Sequence, residues 1–267
     1  MARKPNRKEL QALEEAQLIT YEAWDASGAR RRTLAEKALA LSPLCADAHV
    51  ILAHAAPDPV TALSRWRQAV AAGEAAIGPA DMKAMEGEFW GWLETRPYMR
   101  ALMGLAYALR EGGEVEEAIA IVRRMLVLNP NDNQGARHEL LGWLMAVGRD
   151  TEAQALIDAY PEDDMALWPW TRALLAFREH GDGAVAKAAL DAAMAVNPHV
   201  APLLAGTKRM PKREQLGRSE RSVCGGEQHR HRMDAHAECG GMAQGLRPGR
   251  AAPRLAKGAL SAAQRGA

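Results

Sequence analysis

Cysteine is scarce in this chain: Cys45, Cys224 and Cys239 are the only three in 267 residues. An odd, scattered set excludes a disulfide framework and fits a reducing compartment. Serine is almost missing from residues 1–205, which hold only Ser27, Ser42 and Ser64. None lies in a nucleophile-elbow pattern, so a hydrolase triad has no support. No window approaches the roughly 18 uninterrupted apolar residues of a membrane-spanning helix. The opening, MARKPNRKELQALEEAQ, passes from basic to amphipathic without an apolar h-region, so no signal peptide is expected and a cytoplasmic location is. Runs of Val, Ile and Thr are also wanting, and no segment reads as a strand.

Ala, Leu, Glu and Arg dominate residues 8–205, so helix propensity prevails throughout. Turn signals recur at Ser42-Pro43, Pro57-Asp58-Pro59, Gly78-Pro79, Arg96-Pro97, Gly112-Gly113, Asn129-Pro130, Gly148, Gly181 and Asn197-Pro198. They cut the region into helices of about 10 to 18 residues. The overall charge of +1 conceals a division. From Gly206 onward 13 Lys or Arg face 5 Asp or Glu, a net of +8, which leaves 21 against 28, a net of −7, in residues 1–205.

An internal period underlies the helices. The Gly that closes a first helix falls at 113, 148 and 181, and a small residue follows five positions later at Ala118, Ala153 and Ala186. Pro130 and Pro198 are 68 apart, twice the tetratricopeptide period of about 34. Glycine suits the left-handed turn after a helix, and alanine lets the second helix approach the first. Leu105, Leu140, Trp170 and Phe177 are expected to fill the space beside them. Upstream, Ala62, Trp66 and Ala69 repeat the second-helix spacing, with Asp58 as N-cap and Pro59 at the first helical position. LAEKALALSP, residues 34–43, reads as an earlier second helix.

These readings predict an all-α, tetratricopeptide-type solenoid of helical hairpins. Its expected divisions are a disordered start at 1–7, degenerate repeats at 8–79, an aromatic helical joint at 80–98, three tetratricopeptide-like repeats at 99–205 and a basic, disordered Gly/Arg/Ala-rich tail at 206–267. The joint contains EFWGWLETRPYMRALMGLA, in a chain only 5% aromatic. DMKAMEGEFWGWLE is compatible with one helix carrying Phe89 and Leu93 on a shared face. Trp90 and Trp92 cannot share a face on a helix, so one should be buried and the other partly exposed or turned into the concave groove.

GEFWGWLETRPYMRALMGLA, NPNDNQGARHELLGWLMAVGRDTEA, WTRALLAFREHGD and NPHVAPLLAG together resemble the suppressor of tumorigenicity 7 family and its soluble bacterial relatives. The resemblance covers roughly residues 20–210. It implies divergent tetratricopeptide repeats and a protein-interaction scaffold, and it offers no catalytic residues to transfer. The animal members resemble membrane proteins, whose hydrophobic spans this chain does not carry. The tail departs from the family: it has no aromatic residue from Lys212 on and reverses the charge. That departure points to a shifted reading frame beginning near residue 213.

Several motifs come close to chemistry and stop short. HELLG at 138–142 has Gly where a zinc-protease helix needs its second His. Gly181-x-Gly183-x-x-Ala186 matches a dinucleotide fingerprint, but a helical segment precedes it where a strand is needed. Glu88 and Glu94 would point about 120° apart on a helix. Cys224, His229, His231, His236 and Cys239 are zinc-ligand types at a spacing that fits no known pattern. No cofactor, metal or catalytic residue is therefore expected.

What remains is a surface. Counting from the Gly landmarks places Arg100, Met103, Tyr107 and Arg110 on the concave side of one repeat, His138 and Met145 in the next, and Trp168, Thr171 and Arg178 in the last. The expected function is a non-catalytic scaffold binding a protein or peptide in that groove, with no specific nucleic acid and no membrane partner. An uncapped C-terminal repeat could also promote self-association. Two alternatives are a small-molecule enzyme with its site near the aromatic joint, and a metal or nucleic-acid binder acting through the tail.

Overall fold

A computed structural model describes residues 4–204 of the chain. The expected basic tail, its Cys/His cluster and the frame change near 213 lie outside the described residues. Among the described residues every regular element is helical. They divide into two compact units, one ending at Ala136 and the other beginning at Arg137.

The first unit holds α1 (Arg7–Asp25), α2 (Gly28–Leu41), α3 (Ala46–His54), α4 (Pro59–Ile77), α5 (Pro79–Ala84), α6 (Arg96–Glu111) and α7 (Val115–Leu128). α1 packs with α2, α3 with α4 and α6 with α7, giving three hairpins. Their first helices also touch in sequence, α1 to α3 and α3 to α6. The core of the first hairpin is built from Ala16, Ala23, Ala35 and Ala38 with Cys45, Ala48 and Ile51. Small side chains keep these helices close. Asp58 caps α4 as expected, its Oδ1 accepting from the Thr61 amide at 2.9 Å, and Pro59 occupies the first turn.

The start is more ordered than the sequence suggests. α1 begins at Arg7 behind a capping box in which Asn6 and Glu9 bond each other's backbone amides at 3.1 and 2.8 Å. Lys4 bonds Asp81 at 2.6 Å and Pro5 is buried, so the disordered segment expected at 1–7 is corrected for residues 4–7.

The joint is not one helix. α5 ends at Ala84, and two short 3₁₀ turns follow at Phe89–Gly91 and Leu93–Thr95. The reason is local: Gly87 takes φ +94°, outside helical space, and its amide bonds the Leu128 carbonyl at 3.0 Å. The Thr95 hydroxyl sits against the Phe89 and Trp92 carbonyls, competing for groups a helix would use. Phe89 is fully buried beside Tyr98, whereas Leu93 is 69% exposed, so the two do not share a face. Trp90 is half-buried under the Arg96 guanidinium, and Trp92 is 44% exposed. Arg96 Nε also donates to the Trp90 carbonyl at 3.1 Å.

The second unit runs from the remainder of α8 (Ala136–Ala146) through α9 (Asp150–Ala159), α10 (Leu167–His180), α11 (Ala184–Val196) and α12 (Val200–Leu204). The α10–α11 hairpin closes on Trp170, Ala173, Leu190 and Ala193, against which Val200, Ala201 and Leu204 of α12 pack. The Trp170 indole donates to the Asn197 carbonyl at 3.2 Å, tying the hairpin to the turn before α12.

The periodic landmarks fall at bends. Gly113, Gly148 and Gly181 have φ of +89°, +74° and +67°, and each follows the end of a first helix. Ala118, Ala153 and Ala186 are buried in the second helices. Leu105, Leu140 and Trp170 are buried, and Phe177 is half-buried.

Candidate functional site

On α6 the spacing of Arg100, Met103, Tyr107 and Arg110 puts all four on one face, while Ala101, Leu102, Leu105, Ala106 and Leu109 are buried on the other side. Met103, Tyr107 and Arg110 are half-buried and form a strip of intermediate exposure. Arg110 Nε is shielded from solvent and has no hydrogen-bond partner. Arg100 is committed elsewhere. Its Nε and Nη2 donate to the two oxygens of Asp47 at 2.9 and 2.6 Å, a bidentate pair with a carboxylate that is 0% exposed. Gln17 Nε2 adds a third bond to Asp47 at 2.7 Å. Gln17, Asp47 and Arg100 thus link α1, α3 and α6, the first helices of three successive hairpins.

In the second unit a polar cluster gathers around Asp163, in the connection between α9 and α10. Its Oδ2 accepts from Arg137 Nε at 2.7 Å and lies 3.0 Å from His138 Nε2, while Oδ1 accepts from the Met165 amide at 3.0 Å. The His138 ring meets the edge of Trp168, 5.2 Å between centroids, and Arg137 stacks over Tyr160 at 5.1 Å. Burial alone would push the Asp163 carboxyl up. Hydrogen bonds from His138, Arg137 and the Met165 amide outweigh it and hold the group down, to about 2.

A folded value below the unfolded one makes this cluster stabilising above the ordinary carboxylate range and weaker as acid protonates Asp163. Stability should therefore fall by about 2 kcal/mol as pH drops from above 4 towards 2. Urea titrations of the chain and of Asp163→Asn across that window check this. An unchanged acid slope in the variant would remove Asp163 as its source.

Part of the expected groove is interior. Met145, Trp168 and Thr171 are buried, so they present no surface to a partner. The cause is burial all round the helix: α10 buries every residue from Leu167 to Thr171, and α8 every residue from Glu139 to Met145. The Trp168 indole is satisfied internally by the Tyr160 carbonyl at 3.1 Å. His138 is mostly buried against Asp163, and Arg178 bonds Asp150, the first residue of α9, at 2.5 Å. Arg110 and Arg178, equivalent by sequence count, therefore have different surroundings.

The partners Asp47, Asp163 and Asp150 escaped the sequence reading. Asp47 carried a signal, an acid inside the apolar segment ADAHVILAH, where an unpaired charge is costly. Asp163 carried none, being one of three acids in PEDD. Glu88 and Glu94 are both exposed and lie on no common helix. Gly181 and Gly183 form the turn between α10 and α11, with a helix where a dinucleotide site needs a strand.

No protein-family model matches the chain, and no curated protein does. Among solved structures it is similar to the crystal structure of YrrB, a TPR protein with an unusual peptide-binding site, with a TM-score of 0.51 at 19% identity. The match covers 75% of this chain and 92% of that one. At such identity the likeness is one of fold. The described residues have the all-α fold of the tetratricopeptide type. Among the described residues no helix is long and apolar enough to cross a membrane.

Proposed function

We propose that this chain is a non-catalytic, cytoplasmic scaffold that binds a protein or an extended peptide along the inner face of its first helices. The observation that carries this reading is the α6 strip of Met103, Tyr107 and Arg110, half-open along a helix whose opposite flank is packed. Tyr107 and Met103 supply apolar contact area, and Arg110 brings a guanidinium whose shielded Nε lacks an acceptor. An acceptor from a partner would relieve that deficit. Likeness to a peptide-binding TPR protein supports the same reading. So does the resemblance to the suppressor of tumorigenicity 7 family, the finer kinship we attach to the chain.

The groove set is now narrower than the sequence suggested. Met103, Tyr107 and Arg110 form its contact strip, Arg100 supports them from its pair with Asp47, and His138 and Arg178 serve internal pairs. A peptide array screened with the full chain, followed by titration of the best peptide, tests the reading. Tyr107→Ala with Arg110→Ala should weaken binding by about tenfold or more, equivalent to about 1.4 kcal/mol. Arg178→Ala should change it little. Undiminished affinity in the Tyr107/Arg110 double variant would refute the groove.

A further inference from the structure

An open cleft of about 430 Å³ lies in the first unit, far along the chain from the α6 strip, and is lined by Gly28, Ala29, Arg31, Arg32, Ile51 and His54 among others. That volume is within the range of small-molecule sites. Its polar side chains are two guanidiniums and an imidazole, and no carboxylate lines it. The arginines are held in place by backbone carbonyls. Arg31 donates through Nε to Ala23 at 3.0 Å and through Nη2 to Trp24 at 2.8 Å, and it rests over the Trp24 ring at 5.7 Å. Arg32 Nη2 reaches the Ala55 carbonyl at 3.3 Å.

These bonds orient both groups without neutralising them, because carbonyls carry no net charge. Arg31 Nη1 and Arg32 Nε and Nη1 have no acceptor among the described residues. His54 is fixed by its edge contact with Trp66, 4.8 Å between centroids, and its ring nitrogens make no hydrogen bond among those residues. Among the described residues the cleft is thus rich in anchored donors and lined by no side-chain acceptor, and its two guanidiniums make no ion pair there. Exposed Ala29 adds a small apolar flank.

We propose that this cleft is a binding site for a small oxyanion, a phosphate group free or carried as a monoester, held by Arg31, Arg32 and His54. Two guanidiniums match the several acceptor oxygens of a phosphate, and charge-assisted bonds are the strong ones. The ligand would also relieve the effect of Arg31 on His54. Burial first, and then the Arg31 charge, lower the His54 pKa. A bound dianion should raise it.

Calorimetric titration of the full chain with inorganic phosphate in low-salt buffer is the test, paired with NMR observation of the His54 ring. Saturable heat and an upward His54 titration midpoint are expected. Arg32→Gln should weaken phosphate about tenfold, whereas Arg30→Gln, the same charge change on the same helix outside the cleft, should leave binding intact. Should Arg32→Gln fail to fold, His54→Gln is expected to weaken binding severalfold. Tighter binding of phenyl phosphate than of inorganic phosphate would mark a monoester site, and equal binding a free-phosphate site. Absence of saturable binding, or equal weakening by Arg30→Gln, would overturn the proposal in favour of diffuse surface charge.

Discussion

Gly104→Ala should cost the chain about 3 kcal/mol of stability, at the upper end of what overpacking a core produces. A Cβ at this position on α6 would overlap the six-membered ring of Trp66 on α4, with Cε3 at only 2.5 Å and two other ring carbons nearer still. Trp66 is buried, and its ring meets the His54 edge, so it cannot yield without separating α4 from α6. Gly73 on α4 repeats the device from the other side, where an added Cβ would meet Tyr98 Cβ at 2.9 Å. Two glycines therefore set the distance between these helices, against their intrinsic cost in a helix interior of about 1 kcal/mol each. Chemical denaturation reads the loss, which should lower the melting temperature by about 10 °C in a domain of this size. Gly91→Ala is the matching control: no atom lies within 4 Å of its Cβ, and stability should move by less than about 0.5 kcal/mol. A loss below about 1 kcal/mol for Gly104→Ala would mean that Trp66 relaxes freely, and that the close approach does not specify the packing.

Gly73 and Gly104 were invisible as devices in the sequence, although Gly113, Gly148 and Gly181 were plain. The difference is physical. A glycine at a helix end answers a local demand, a positive φ, that its neighbours in sequence announce. A glycine inside a helix answers to a ring from another helix, and that ring is distant in sequence. The same distinction governs the rest of the fold. Ala118, Ala153, Ala186, Asp58 and Pro59 were legible because hairpin geometry and capping act over a few residues. The joint departs from the expected single helix because the four-residue spacing of Phe89 and Leu93 fits a helical face, while one left-handed Gly87 and one Thr95 hydroxyl redirect the backbone. The start was misread for the opposite reason. Its capping box, Asn6 with Glu9, stood in the sequence as a local signal beside a basic run that suggested disorder.

The candidate groove shows where face-counting gives out. Helical periodicity separates a buried from an open flank only when a helix has both. α6 has both, and there the positions 103, 107 and 110 do share a partly open strip. α8 and α10 bury consecutive residues all round over much of their length, so the same count delivers Met145, Trp168 and Thr171 into the interior. Charge was legible by residue type but not by partner: Arg100 and Arg178 looked available, and each is matched by an Asp at least 28 positions away in sequence.

Arg100→Met should destabilise the chain nearly as much as the crowded glycine does, and for an electrostatic reason. The change leaves the Asp47 carboxylate, 0% exposed, with the Gln17 amide as its remaining side-chain donor. Stranding a buried charge typically costs about 3–5 kcal/mol. The Arg100 side chain is 36% exposed, so water can reach part of the vacated space, and the lower end, about 3 kcal/mol, is expected. Removing both charges gives a different result. Asp47→Leu combined with Arg100→Met should recover most of the loss, because a desolvated pair contributes little beyond what apolar contacts supply. Denaturation of the two single variants and the double variant closes the cycle and yields the coupling directly. The result also bears on function. If Arg100 acts through Asp47 to hold α6 against α3, the Asp47/Arg100 double variant should keep peptide affinity while Tyr107→Ala with Arg110→Ala weakens it about tenfold or more. If Arg100 itself grips the partner, the double variant should recover stability and still lose binding.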